Sequence, residues 1–230
     1  MATLIQNPYA EVATGGSSQT LTLTQAIGVG NLVVVMAYFS KASGANITVS
    51  SITNNAGAMT FSQATPGTTL AAQGTGNPKL NMDIWYILSA TLAPTTITVT
   101  YTGASNGVLN AVGVLEYSSP NSFGFTQAVG AVSTGSASPS SGAITTTGTA
   151  AIIVTGTCDD AGVTVSSIAS PFTLRGNGLH GMADAINQAT GSFTPTFTLS
   201  TSARWAAGSA SFTTGSQVGT TRINLLRAGN

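Results

Sequence analysis

The chain has 230 residues, and only 5% of them are charged: six Lys plus Arg balance six Asp plus Glu, for a net charge of zero. An ordinary soluble domain carries about 25% charged residues, whereas Thr, Ala, Gly and Ser here supply 122 of the 230 positions. Six scattered cations make no basic stripe for nucleic acid, a 42% hydrophobic content argues against disorder, and one cysteine, Cys158, excludes a disulfide scaffold.

In chain order, residues 1–13 hold no basic region followed by an apolar run, so no secretion signal is read there. Residues 1–18 precede the first convincing strand and read as an N-terminal arm. Residues 20–24 alternate Thr with Leu at the period of a half-buried strand. Residues 32–39 are apolar on both parities, which predicts a central strand buried on both faces. This is the longest apolar run, far short of the roughly 20 residues that span a bilayer, so no membrane partner is expected. Residues 65–80, with Pro66-Gly67, Gly74, Gly76 and Asn77-Pro78, read as a long exposed loop. Residues 96–101 alternate again, and 150–154 read as a second doubly buried strand. Residues 181–189 are the one helix candidate longer than two turns, and they lack an apolar stripe.

The predicted fold is therefore all-β: an antiparallel β-sandwich of jelly-roll or immunoglobulin-like kind, in two pseudo-repeat halves. The repeat is carried by four echoes. Residues 31–35 match 150–154, 47–52 match 163–168, 82–85 match 182–185, and 94–100 match 195–200. The expected layout is an N-terminal arm (1–18), a first half (19–120), a flexible linker rich in Gly and Ser (121–142), a second half (143–214) and a C-terminal arm (215–230).

Residues able to carry chemistry are few. His180, the only histidine, reads as a loop residue in Gly176-Asn177-Gly178-Leu179-His180-Gly181. Cys158 with His180 could form a thiol nucleophile pair, but Cys158 leads into Asp159-Asp160-Ala161-Gly162, which reads as a hairpin turn. A weak calcium site is the alternative for those two carboxylates. Glu116, ending a buried run, reads as a rim residue paired to Lys41 or Arg204, and Gly28-Val29-Gly30 reads as a turn rather than a phosphate loop. Trp85 and Trp205 read as core residues. Phe123 and Phe125 in the linker read as exposed contacts. In the C-terminal arm, Arg222, Ile223, Leu225, Leu226 and Arg227 are apolar and basic enough to want a partner surface. No catalytic residue, cofactor or metal is assigned.

Three stretches together resemble a known group: Gly30-Asn31-Leu32-Val33-Val34-Val35, then Val49-Ser50-Ser51-Ile52 with Asn54-Asn55-Ala56-Gly57, then Val114-Leu115-Glu116-Tyr117-Ser118. They resemble the Gly/Ser/Thr-rich β-sandwich proteins of bacteriophage virions and bacterial surfaces. The resemblance implies a non-enzymatic capsid decoration (cement) subunit, made in the host cytoplasm and ending in the virion. It would bind the major capsid protein and its own copies, as a homotrimer on a local threefold. The alternative is a carbohydrate-binding receptor-recognition, tail or fibre module, with Trp205, Tyr86 or Phe125 stacking on a glycan.

Overall fold

The computed structural model describes residues 1–12, 16–41, 47–64, 79–102 and 108–215. These residues form eighteen strands, numbered here in chain order, and no helix.

Two large sheets organise the molecule. In the first, β4 (Leu32–Lys41) is central, with β9 (Val108–Ser118) on one side and β7 (Lys79–Ile87) on the other. The short β6 (Ser62–Gln63) lies beyond β7, and β1 (Thr3–Gln6) and β2 (Tyr9–Val12) share the outer side of β9. In the second sheet, β12 (Ala151–Asp159) is central, between β18 (Ala203–Thr214) and β15 (His180–Gln188). Its edges are β10 (Phe123–Ser136) and β14 (Thr173–Asn177). Every pairing in both sheets is antiparallel.

Three smaller sheets cover the outside. One joins β3 (Ser18–Thr22), β8 (Thr96–Thr102) and β5 (Thr48–Asn54). The others pair β13 (Val165–Ile168) with β17 (Phe197–Leu199), and β11 (Ile144–Thr146) with β16 (Gly191–Phe193).

The double burial predicted for the two apolar runs has a direct cause in this layering. Side chains alternate across a strand. Leu32, Val34, Met36 and Tyr38 of β4 therefore enter a core shared with Ile152 and Val154 of β12 and Phe212 of β18. Val33, Val35, Ala37 and Phe39 enter a separate core with Leu21, Ile97, Val99 and Tyr101 of the three-stranded sheet. The second large sheet likewise turns its other face to the two small sheets, through Val165, Phe197 and Trp205 in one cluster and Ile144, Ile153 and Phe172 in another. The result is four layers with the two large sheets inside. Each large apolar side chain in the shared core contributes roughly 1.5–3 kcal/mol. The sheets approach so closely that a Cβ on Gly156 of β12 would lie 2.6 Å from both the Tyr38 hydroxyl and the Met82 methyl. Glycine is what lets them touch there.

The two large sheets share one strand order. Position by position, β9-β4-β7-β6 corresponds to β18-β12-β15-β14, with β1 and β2 standing where β10 stands. The sequence echoes fall on matching strands: 31–35 and 150–154 on β4 and β12, 82–85 and 182–185 on β7 and β15.

Several expectations need correction. Residues 123–136 are not a flexible linker but β10, laddered against β18 from Phe123 opposite Thr214 to Ser136 opposite Ala203. Its glycines and serines suggested flexibility, but the pairing partner lies about 80 residues away and is invisible to local composition. Residues 3–12 are not a free arm, since β1 and β2 pair with β9. Residues 181–189 fall largely in a strand, β15. Asp159–Gly162 does turn the chain, with Gly162 at φ +65°, but it leads from β12 to β13 in another sheet and so forms an arch, not a hairpin. Most of the expected loop at 65–80, and residues 216–230 of the C-terminal arm, lie outside the described residues.

Candidate functional site

The N-terminal strand β2 brings the rare ionisable groups together. It lies on β9 of the first sheet and presses against the β14–β15 hairpin of the second. The Tyr9 hydroxyl donates to the Glu11 carboxylate and, at 3.2 Å, to the His180 carbonyl. The backbone N–H of His180 donates to the same Glu11 oxygen at 3.0 Å. Asn7 Nδ2 donates to the Arg175 carbonyl at 2.9 Å. At the chain's start, Asn187 both accepts from the Ala2 N–H at 2.9 Å and donates to the Ala2 carbonyl at 3.0 Å. Residues 2–11 thus form a clasp across the two sheets. The glycine-rich stretch at 176–181 is its seat: a Cβ on Gly178 would come within 2.6 Å of a Glu11 carboxylate oxygen.

His180 is therefore not a loop residue. It opens β15 and is buried, its ring 5.5 Å from that of Tyr38. Burial lowers its affinity for protons, opposed in part by its contacts with the Leu179 backbone and the Glu11 charge. Cys158 is its cross-strand partner in the β12–β15 ladder, also fully buried. The Cys158 thiol donates to the Asn81 carbonyl at 3.4 Å, and burial pushes its pKa upward, with the Asp159 charge adding to the rise. The two residues predicted as a possible nucleophile pair are thus neighbours. Their environment favours thiol and neutral imidazole, the opposite of the thiolate–imidazolium pair that nucleophilic cysteines use.

The acids are spent internally as well. Asp184 is fully buried, bridged to Arg175 Nε at 2.7 Å and accepting from the Tyr117 hydroxyl of the first sheet at 2.8 Å. Glu116 is not a rim residue and does not meet Arg204; the Lys41 side chain lies outside what the structure describes. It is fully buried and accepts from Gln6 Nε2 at 2.5 Å, the Gly28 N–H at 2.7 Å and Asn31 Nδ2 at 2.5 Å. Neutral donors thus surround the carboxylate, and Gly28-Val29-Gly30 is a turn that supplies one of them.

Arg204 instead pairs with Asp160 at 2.7 Å. Asp159 accepts from the N–H groups of Ala161 and Val163 at 3.0 Å each, so these two carboxylates hold the arch. Asp83 on β7 is buried, with Gln63 Nε2 at 3.2 Å. Burial raises its pKa to about 6, partly offset by the hydrogen bonds from Gln63 and the Val49 backbone. Among the described residues, no group of three or more His, Cys, Asp or Glu side chains could hold a metal ion.

The aromatic candidates also turn inward. Phe123 is buried in the shared core rather than exposed. Phe125 stacks on Tyr86 with ring centroids 5.0 Å apart, and both meet Phe212 edge-on at 5.8 and 5.3 Å. The Gly-rich neighbourhood of Phe123 and Phe125 suggests a loop with exposed contacts; paired in β10, the two have a sheet to pack on. Trp205 is buried as predicted, and Trp85 packs partly buried on the outer core of the first sheet. They sit on non-corresponding strands of the two sheets, β18 and β7. Arg222, Ile223, Leu225, Leu226 and Arg227 lie outside the described residues.

The sequence reading missed Tyr9, Glu11 and Asn187. Asn187 carries no local signal, but its φ of +58° marks it in the structure as a specialised position.

No family model matches the chain, and no curated protein or solved structure matches it.

Proposed function

We propose that the chain is a structural subunit of a bacteriophage virion, without enzymatic activity: a capsid decoration protein that binds the major capsid protein and copies of itself. The observation that carries this reading is where the charges are. The chain has six acids, and four of them, Asp83, Asp159, Asp184 and Glu116, are buried. Among the described residues of an already charge-poor chain, the exposed positions are mostly Thr, Ser, Gly and Ala. Such a surface can be covered by a partner with few ions to strip of water, and each desolvated ion costs on the order of several kcal/mol. The four-layer core supplies a rigid platform, and affinity would sum over many shallow contacts.

In this reading residues 215–230 reach to a neighbouring subunit, with Ile223, Leu225 and Leu226 as apolar anchors between Arg222 and Arg227. The test is co-sedimentation with shells assembled from the major capsid protein of the same phage. The full chain should pellet with the shells. A chain ending at Thr214 should stay in the supernatant with its unfolding temperature unchanged. Failure of the full chain to pellet rejects the decoration reading. Pelleting of the shortened chain rejects the role given to the arm.

A further inference from the structure

We propose that β10 is a self-complementary edge, and that two copies of this chain join by pairing their β10 strands antiparallel about a two-fold axis at Gly130. The second large sheets would then run continuously through the pair. The inference takes from the proposed function only the association of the chain with its own copies. It sets the order of that contact at two rather than the three expected from the resemblance.

Three observations converge. First, β10 is 14 residues long and ends the order of its sheet; among the described residues, no strand pairs with its outer side. Native edges are normally blunted by charge, proline, brevity or bulges; β10 contains no charged residue and no proline, and its two register breaks leave residues 127–133 unbroken. Second, its ladder is interrupted between Phe125 and Gln127 and again between Ser133 and Ser136, so the regular stretch runs from Gln127 to Ser133. Bulges end straight pairing, and the midpoint of those seven residues is Gly130. Third, the stretch Gln-Ala-Val-Gly-Ala-Val-Ser keeps the same order of polarity in both directions: a polar end, two small apolar residues, the glycine, two small apolar residues and a polar end.

Reversed onto itself about Gly130, the stretch sets Gln127 opposite Ser133, Ala128 opposite Val132, and Val129 opposite Ala131. Polar meets polar, apolar meets apolar, and no like charges meet. Val132, 44% exposed and one of the four large hydrophobics left exposed among the described residues, gains an apolar neighbour. An isologous contact requires this kind of self-match, and the free N–H and C=O groups of the edge supply the hydrogen bonds.

The test uses the full chain. Sedimentation should show a monomer–dimer equilibrium, and amide hydrogen exchange at 127–133 should slow as concentration rises. Gln127→Glu with Ser133→Glu puts like charges opposite each other twice per dimer, and Gln127→Lys with Ser133→Lys does the same. Each double variant should weaken dimerisation about tenfold or more. Mixing the two should restore a heterodimer in native mass spectrometry. A wild-type chain that stays monomeric overturns the proposal, as does self-association indifferent to both charge pairs, or concentration-dependent protection that spares 127–133. A dimer that ignores shells rejects only the decoration reading, and a monomer that binds shells rejects only the β10 contact.

Discussion

The two large sheets have the same strand order but finish the corresponding edge in opposite ways. Next to β9, the first sheet ends in two four-residue strands, β1 and β2. Asn7-Pro8 separates them, and Glu11 lies in the second. Next to β18, the second sheet ends in β10, unbroken by proline and without a charge. The first edge is short, charged and tied by side chains to the other sheet. The second keeps an open row of backbone groups. Edges attract other strands unless something prevents it, so one topology here yields one closed edge and one available edge. The difference lies in what the sequence places at each.

Substitutions should separate the two edges by their effect on folding. The largest effect is expected at the ties between the sheets. Asp184→Ala removes the partner of a partly buried Arg175 and of the buried Tyr117 hydroxyl. Losing one member of such a network costs about 3–5 kcal/mol, measured by denaturant unfolding. A loss below about 1 kcal/mol, the range of a solvent-exposed pair, would show that this tie does not hold the sheets together.

Asp83 tests the far side of the first sheet. Its pKa rises from 3.8 to about 6 on folding, so between those values the unfolded chain binds fewer protons than the folded one. Stability should therefore fall as pH rises through that window. Asp83→Asn should flatten the profile there and stabilise the protein at neutral pH, by at most about 3 kcal/mol. His180 acts in the other sense. Its folded-state affinity for protons is lowered from the ordinary 6.5, so stability is lost as pH falls below that value. Burial raises the pKa of Asp159 as well, and that contribution is common to wild type and Asp83→Asn, so the difference between the two profiles isolates Asp83; a variant profile that declines from pH 4 to 6 as steeply as wild type would remove Asp83 as a cause.

At the closed edge itself, Asn187→Ala deletes both bonds to Ala2 and leaves a Cβ-bearing residue without Asn's local hydrogen bonds at φ +58°. The expected cost is about 1–3 kcal/mol, together with faster amide exchange in residues 2–6. The smallest effect belongs to the open edge. Ser133→Glu on β10 should change unfolding by no more than about 0.5 kcal/mol. A larger loss would mean that the outer side of β10 is already engaged within the fold, and the contrast between the edges would fail.

Much of the fold was legible in the residues. The period-two runs at 20–24 and 96–101 became β3 and β8. The runs apolar on both parities became β4 and β12, the middle strands of the two inner layers. Four short echoes pointed to strands that do occupy matching places. The chemical residues were less legible. Cys158 and His180 stand out as the lone thiol and lone imidazole and are cross-strand neighbours, but whether they lie in water or inside the protein sets their protonation, and no local pattern carries that. Glu116 looked like a rim residue because a carboxylate after a buried run most simply ends at the surface. Here Gln6, Gly28 and Asn31, far away in the chain, supply donors that allow it inside.

By itself, then, the sequence determined the all-β class, the strands β3, β4, β8 and β12, the burial of β4 and β12 on both faces, and the scarcity of charge. These depend on side-chain periodicity and composition over a few residues. Tertiary structure alone decided that residues 3–12 close an edge, that residues 123–136 form another, and that four of six acids lie inside. Each of these depends on a partner distant in the chain: Asn187 for Ala2, Thr214 to Ala203 for β10, Tyr117 for Asp184. A hydrogen bond or a ladder needs both members in place, and only the folded chain brings them together.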